Sequence, residues 1–258
     1  MRSVSDPKRA ISFGKVAEQY DRWRPAYPDA AVDWLAPPAP ARVADVGAGT
    51  GKLTSLLLTR GLTVEAVEPD PRMLEVLARN NPAARCHQSD SASLPLEDGS
   101  MDAVLVADAW HWFETEATIS EFRRVLRRGG WLGLVWNVVA APVEPWEFEL
   151  ASESDAFDRD TKGNAAAVRR RLSYFREDEL EFAQFPWAWT ITPEHRAAHA
   201  ATTSMTIAMT PREQKTHVDA ARADLQRVCD AAGRETVPIR HEASCARWMP
   251  SLPPSRVA

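Results

Sequence analysis

Apolar positions along the chain switch between continuous runs, which suit strands buried on both faces, and a spacing of three to four, which suits one face of a helix. Arg42 to Val46 is the first such run, bounded by Pro-rich sequence before it and glycine after it. Leu53, Leu56 and Leu57 then repeat at helical spacing, and Gly61 stands where a C-terminal cap belongs. Thr63 to Val67 is a second β-rich run, ending on Glu68. Asp70 and Pro71 supply the N-cap and first turn of a helix carrying Met73, Leu74 and Leu77. Arg85 to Ser89 reads as a weaker, polar strand, LPLEDGS as a turn, and Met101 to Ala107 as a fourth strand. Thr115 to Arg128 predicts an amphipathic helix, with Ile119, Phe122, Val125 and Leu126 on one face. Arg127 and Arg128 suit its C-terminal dipole, and Gly129-Gly130 are expected to stop it. Trp131 to Trp136 is the fifth strand, ending in Asn137.

The resulting order, β-α-β-α-β-loop-β-α-β, implies an α/β fold with a doubly wound, mostly parallel sheet. Ahead of it, residues 1–10 read as a loose tail, and Phe13, Val16, Ala17 and Tyr20 share a helical face until Pro25 and Pro28 break the pattern. Ala30 to Leu35 makes a second short helix. After Val138 the alternation breaks. Pro145 to Phe157 reads as one helix, and the charged stretch from Asp158 to Arg171 as surface-crossing chain. Glu181 to Ile191 is a late strand, and Thr192-Pro193 opens another helix. Thr210-Pro211-Arg212-Glu213 is a capping box that starts a helix reaching Gly233. Val237 to Trp248 alternates as a last strand, and SLPPSRVA is a tail.

A length of 258 residues is enough for a sizeable core and fits one domain, residues 1–258. Within it we expect N-terminal covering helices at 11–36, a binding core at 42–137, a helical lid with late strands at 138–235, and the last strand at 236–248. Hydrophobic residues make up 45% and charged residues 26%, which excludes a disordered chain. The net charge of −5 gives no reason to expect nucleic acid or an acidic membrane as partner. Cys86, Cys229 and Cys245 are too scattered for a zinc site or a disulfide framework. With no signal peptide or membrane-length apolar run, a cytoplasmic location is expected. The ten tryptophans cluster late, and two or three of them are expected to face a substrate.

The chemistry centres on Asp45-Val46-Gly47-Ala48-Gly49-Thr50-Gly51. Where a parallel strand turns sharply into a helix, glycines permit positive φ and let a ligand approach bare backbone. The helix N-terminus adds unpaired N–H groups. Glu68 lies 21 residues after Gly47, at the tip of the next strand, where an acid can take both ribose hydroxyls. Together they form a βαβ unit for a nucleoside. The third glycine comes two positions after the second, one position too early for the nicotinamide fingerprint. His111, in Asp108-Ala109-Trp110-His111-Trp112-Phe113 just past the fourth strand, is the histidine best placed for proton removal. His195 and His199 stand at metal-ligand spacing, but no acid accompanies them, so a solvated face and no metal are expected.

D-V-G-A-G-T-G followed by V-E-P-D (through Pro69) resembles motif I and the acidic partner of class I S-adenosylmethionine-dependent methyltransferases. The Y-D-x-x-R-P-x-Y-P stretch resembles a small-molecule subgroup, the trans-aconitate methyltransferase or type 11 kind. The resemblance implies a seven-stranded sheet with an antiparallel last strand and a helical lid. It implies S-adenosylmethionine as cofactor and S-adenosylhomocysteine as product. It places Asp45, Gly47, Gly49, Thr50, Gly51, Glu68 and Pro69 around the cofactor, with Tyr20 and Arg24 reaching its carboxylate and Asp90-Ser91 reading adenine. Asp108 and Ala109 pass beside the transferable methyl. Tyr27, Trp110, Trp112, Asn137 and Trp146 fall on the acceptor side, and the aromatics point to an aromatic or hydrophobic small molecule. The resemblance covers most of residues 11–137 by motif and the remainder by layout. Two rivals stand beside methyl transfer. One is a nicotinamide-dependent oxidoreductase, disfavoured by the glycine spacing and the lack of a Tyr-x-x-x-Lys pair. The other keeps the cofactor as a structural prop for cyclisation or decarboxylation.

Overall fold

Strands β1 (Arg42–Val46) and β2 (Thr63–Val67) each bury four consecutive side chains, which a strand does only when both faces of its sheet are covered. The computed structural model describes residues 13–112, 116–150 and 165–250. β3 (Arg85–His87), β4 (Met101–Ala107), β5 (Leu126–Val139), β6 (Leu180–Ile191) and β7 (Val237–Trp248) complete one sheet, ordered β3-β2-β1-β4-β5-β7-β6. β1 to β5 pair in parallel, and β7 runs antiparallel between β5 and β6. This is the expected seven-stranded, doubly wound sheet with an antiparallel last strand. Glu65, at the centre of β2, ties it to its neighbours β1 and β3, meeting Arg42 at 2.8 Å, Arg85 at 3.2 Å and His87 at 2.7 Å.

Helices cover both faces. A 3-10 turn (Phe13–Val16) leads into α1 (Ala17–Trp23), followed by α2 (Asp29–Leu35), α3 (Lys52–Thr59) and α4 (Pro71–Asn80). α2 and α3 lay Val32, Leu35, Leu53 and Leu57 against Val43, Leu105 and Val135 on one face. α5 (Glu116–Val125) and α7 (Ala165–Arg171) cover the other, where Phe122 and Val168 meet Val104, Leu132 and Leu134. Each such fully buried side chain is worth about 1.5–3 kcal/mol of transfer free energy. α6 (Pro145–Leu150) precedes α7. α8 (Pro193–Ala201), α9 (Ser204–Ile207) and α10 (Pro211–Ala232) follow β6, and α10 packs Leu225 and Val228 against Ile191, Val237 and Ile239. α10 begins with the expected capping box, Thr210 N–H donating to Glu213 at 2.8 Å, and stops at left-handed Gly233.

Three expectations are corrected. The helix expected to run to Arg128 ends at Val125, because Leu126 already pairs with Met101 in β5. The ladder resumes at Trp131 opposite Ala103, so residues 127–130 bulge out of it. A Cβ on Gly130 would lie 2.8 Å from the Asp102 carbonyl oxygen, so the glycine pair serves this bulge rather than a helix stop. The charged stretch ending at Arg171 does not simply cross the surface. Its last part is α7, whose Val168 is in the core with the following Leu172. β3 is shorter than expected, stopping at His87. The tails at 1–10 and 251–258, Phe113, the helix start at Thr115, and residues 151–164 lie outside the described residues.

Candidate active site

The glycine turn is pinned to the end of β2. Gly47 and Ala48 N–H both donate to the Val67 carbonyl, at 2.9 and 3.1 Å. Gly51 then caps α3 with φ 88°, and a Cβ there would sit 2.8 Å from Leu77 Cγ. Only glycine fits both the left-handed backbone and the packing. Glu68 braces the same turn from β2. Its Oε2 accepts from Gly49 N–H at 2.9 Å and its Oε1 from Asp70 N–H at 3.0 Å. Burial pushes the Glu68 carboxyl up to about 7, with those two backbone bonds working in the opposite direction. Asp45 is wholly buried beneath the turn, where Oδ2 accepts from the Thr54 hydroxyl at 2.6 Å and burial raises the carboxyl to about 6. Asp45 Oδ1 and Thr50 Oγ1 are buried and have no partner among the described residues. These two open polar atoms and the Gly49 backbone form a cradle that fits a nucleoside carrying polar groups.

The N-terminal layer closes on this cradle. Gly14 N–H donates to Asp70 at 3.1 Å, docking the 3-10 turn on α4. Asp108 has φ 50°, rare for a non-glycine residue. Its Oδ2 accepts from the Tyr27 hydroxyl at 3.1 Å and from Asn137 N–H at 3.4 Å. Asn137 Nδ2 donates to the Ala26 carbonyl at 3.1 Å. Burial raises the Tyr20 hydroxyl, with Asp108 and Glu68 adding to the effect and Arg24 opposing it. Burial likewise holds Tyr27 well above its ordinary value, reinforced by Asp108, Tyr20 and Asp45. Tyr20, Tyr27, Asp45, Glu68 and Asp108 therefore lie near enough to act on one another beside the glycine turn. Arg24 lies over the Tyr20 ring and spends Nε and Nη2 on Thr202, the C-cap of α8, at 3.1 and 2.9 Å. It staples the N-terminal layer to α8.

The other expected residues divide. Pro69 is half-buried beside Glu68. Asp90 sits exposed, accepting from Ala92 N–H at 2.8 Å, whereas Ser91 is buried and shares a 3.0 Å hydrogen bond with Thr118 on α5. Ser91 is thus engaged in packing rather than turned to a ligand. Ala109 and Trp110 belong to the core. Trp110 is corrected as a substrate-facing residue, being fully buried beside Phe122 and Phe175. His111 and Trp112 occupy a 3-10 turn (Trp110–Trp112), their rings 4.7 Å apart, and Trp112 also meets Phe13 at 6.2 Å. Trp146 packs with Leu225, Val228 and Ile239 under α10, away from the glycine turn.

His195 and His199 do not form a solvated face, and that expectation is corrected. Their rings contact Trp189 edge-on, at 4.6 and 5.3 Å, and His195 also meets Trp23 at 4.9 Å. Burial holds the His199 imidazole well below its ordinary range, assisted by Arg24, Arg196, His241 and His195. Among the described residues, no group of three or more His, Cys, Asp or Glu could hold a metal, and no helix is long and apolar enough to cross a membrane.

Residues 44–134 match the family described as a methyltransferase domain. Those residues form a type 11 methyltransferase domain, on the class I fold. An uncharacterized methyltransferase of Mycobacterium tuberculosis is 53% identical over 128 residues, 50% of this chain and 53% of that protein. The chain spans about half the length of that curated relative. A methyltransferase-like protein of Schizosaccharomyces pombe is 32% identical over 182 residues, 69% of this chain and 64% of its own length. Among solved structures, a candidate type II methyltransferase from Anaeromyxobacter dehalogenans superposes with TM-score 0.61 at 22% identity, covering 87% of this chain and 96% of that one. A Haemonchus contortus phosphoethanolamine N-methyltransferase, solved with phosphomonomethylethanolamine and S-adenosylhomocysteine, gives 0.55 at 17% identity, covering 97% and 61%.

Several residues near the glycine turn and the N-terminal layer are not marked by motif. Lys52, first in α3, is partly buried, and that burial lowers its ammonium pKa. Trp189, His241 and Thr202 enter from β6, β7 and the end of α8. The signal for Trp189 was the alternation of β6, which sets Phe185, Trp187 and Trp189 on one face.

Proposed function

We propose that the protein transfers a methyl group from S-adenosylmethionine to a small-molecule acceptor, leaving S-adenosylhomocysteine. The carrying observation is the braced cradle, in which Glu68 holds Gly49 while keeping acceptor lone pairs for ribose hydroxyls. Asp45, Gly47, Gly49, Thr50, Gly51, Glu68 and Pro69 are assigned to the cofactor, with Tyr20 and Arg24 covering it and Asp90 at the adenine end. The bound cofactor supplies a methyl already activated on a sulfonium, so no metal is assigned. The chain's residues then have to orient the acceptor, exclude water and take a proton where one is released. His111 is assigned the proton, because it follows β4 at the ligand edge of a parallel sheet. The aromatics support an aromatic or hydrophobic acceptor, and the reading puts the protein in the cytoplasm as one domain with residues 138–235 as its lid and substrate region.

Calorimetric titration with S-adenosylmethionine, S-adenosylhomocysteine and NAD, repeated on Glu68→Ala, tests this. Micromolar binding of the adenosyl ligands that weakens in the variant is expected. Binding of NAD alone would replace methyl transfer with redox chemistry. Product masses without the added methyl would favour the cofactor-as-prop reading.

A further inference from the structure

Register places one set of side chains on a single face of the sheet at its ligand edge. In the antiparallel ladder Asn137 opposes Ala243, His241 opposes Trp187, and Ile239 opposes Trp189. Directly opposed residues share a face, so Asn137, Trp187, Trp189 and His241 look the same way. α8 lays His195 and His199 over them. The rings touch in series, His241 at 4.9 Å from Trp187 and 5.9 Å from Trp189, then Trp189 against both α8 histidines. This layer borders the cofactor cleft through Arg24, whose charge acts on His199 and on Tyr20 alike, and through Asn137, whose N–H meets Asp108.

Three buried polar atoms of the layer have no partner among the described residues: Asn137 Oδ1, Trp187 Nε1 and His195 Nε2. The bond from Asn137 Nδ2 to Ala26 fixes its oxygen as the open atom, an acceptor. The indole N–H is a donor. The open His195 ring nitrogen can give or accept a hydrogen bond, according to its tautomer. An acceptor, a donor and a group able to act as either suit hydroxyls, which both give and take hydrogen bonds. A carboxylate has only acceptor atoms, and would leave Asn137 Oδ1 opposed. An ammonium would meet the charges of Arg24, Arg196 and Lys52, which already act on these imidazoles. The ring surfaces favour a flat body.

We propose that Asn137, Trp187, Trp189, His195, His199 and His241 form the acceptor-binding wall, and that it takes a planar, hydroxylated aromatic molecule. This rests on the methyl-transfer reading above and names the substrate class of that site.

Three coumarins test it: 7-hydroxy-4-methylcoumarin, 7-aminomethyl-4-methylcoumarin, whose alkylamine is an ammonium at neutral pH, and coumarin-3-carboxylate. Each is titrated by fluorescence into the full chain saturated with S-adenosylhomocysteine, whose own affinity is measured separately by calorimetry. The hydroxyl probe should bind saturably, about tenfold tighter than the other two, the worth of one matched hydrogen bond. Trp189→Leu should weaken it by about tenfold, and His195→Phe, which keeps a ring but removes the nitrogen, by a similar factor. Both variants should keep S-adenosylhomocysteine affinity within about threefold, which shows that they are folded. Failure of the hydroxyl probe to bind, preference for the amine or carboxylate, or binding unmoved by both substitutions would overturn the proposal. Failure of S-adenosylhomocysteine to bind would instead overturn the parent reading, and the probes would then be titrated into ligand-free protein against the same criteria.

Discussion

The carboxylate of Glu68 accepts the backbone N–H of Gly49 at 2.9 Å, so the acid at the tip of β2 and the apex of the glycine turn form one rigid piece. The acid that would bind ribose also fixes the loop under the rest of the cofactor. Binding and preorganisation are coupled in one side chain.

That coupling has a pH signature. Burial raises Glu68 from an ordinary 4.5 to about 7, and Asp45 from 3.8 to about 6. Between those values the folded chain holds protons that the unfolded chain has released, so stability falls as pH rises through each window. Each group contributes at most about 3 kcal/mol. Urea midpoints of the ligand-free protein should drop between pH 5 and pH 7.5, and a flat profile would mean both acids are ionised throughout. Ribose hydroxyls favour the carboxylate, so S-adenosylhomocysteine should bind more tightly as pH rises toward 7 and release a proton. Calorimetry in buffers of different ionisation enthalpy reads that proton directly.

Gly51→Ala should destabilise the fold by about 3 kcal/mol, combining a left-handed backbone with a methyl driven against Leu77 and Asn81. A fall in Tm of roughly 10 °C is the expected reading for a chain of this size. An unchanged Tm would mean that the turn relaxes without cost.

Arg24→Gln distinguishes a staple from a ligand contact. The bonds to Thr202 make Arg24 hold α8 against the N-terminal layer. Removing them should weaken S-adenosylhomocysteine and 5′-methylthioadenosine equally, by about threefold. If only S-adenosylhomocysteine weakens, Arg24 binds the amino-acid carboxylate, which the truncated nucleoside lacks.

His111→Ala should lower turnover by about 100-fold, within the range for loss of a general base, while leaving S-adenosylhomocysteine affinity within about twofold. Turnover that is unchanged assigns His111 to packing against Trp112.

The βαβ unit was legible because each piece has one physical solution: a two-faced strand, a glycine turn, an acid at the next strand tip. Other residues carry patterns with two solutions. Gly129-Gly130 stops a helix as well as it relieves a bulge, and the choice depended on Leu126 pairing with Met101, a contact distant in sequence. His195 and His199 at i, i+4 look the same whether water or another element covers them, and the cover came from β6, β7 and α1. Trp110 in a loop beside a cleft suits a pocket or a core equally, and Phe175 from beyond α7 decided it.

The position of β7 bears on how the chain comes into being. Its partners β5 and β6 do not pair with each other, and the strand joining them follows both in the chain. Until it arrives, the twelve-residue β6 has no ladder, and β5 presents an unpaired edge. The nascent protein thus holds two sticky edges in waiting, and they stay open until β7 has emerged. A ribosome stalled a few codons short of β7 would release a chain prone to capture by its own copies.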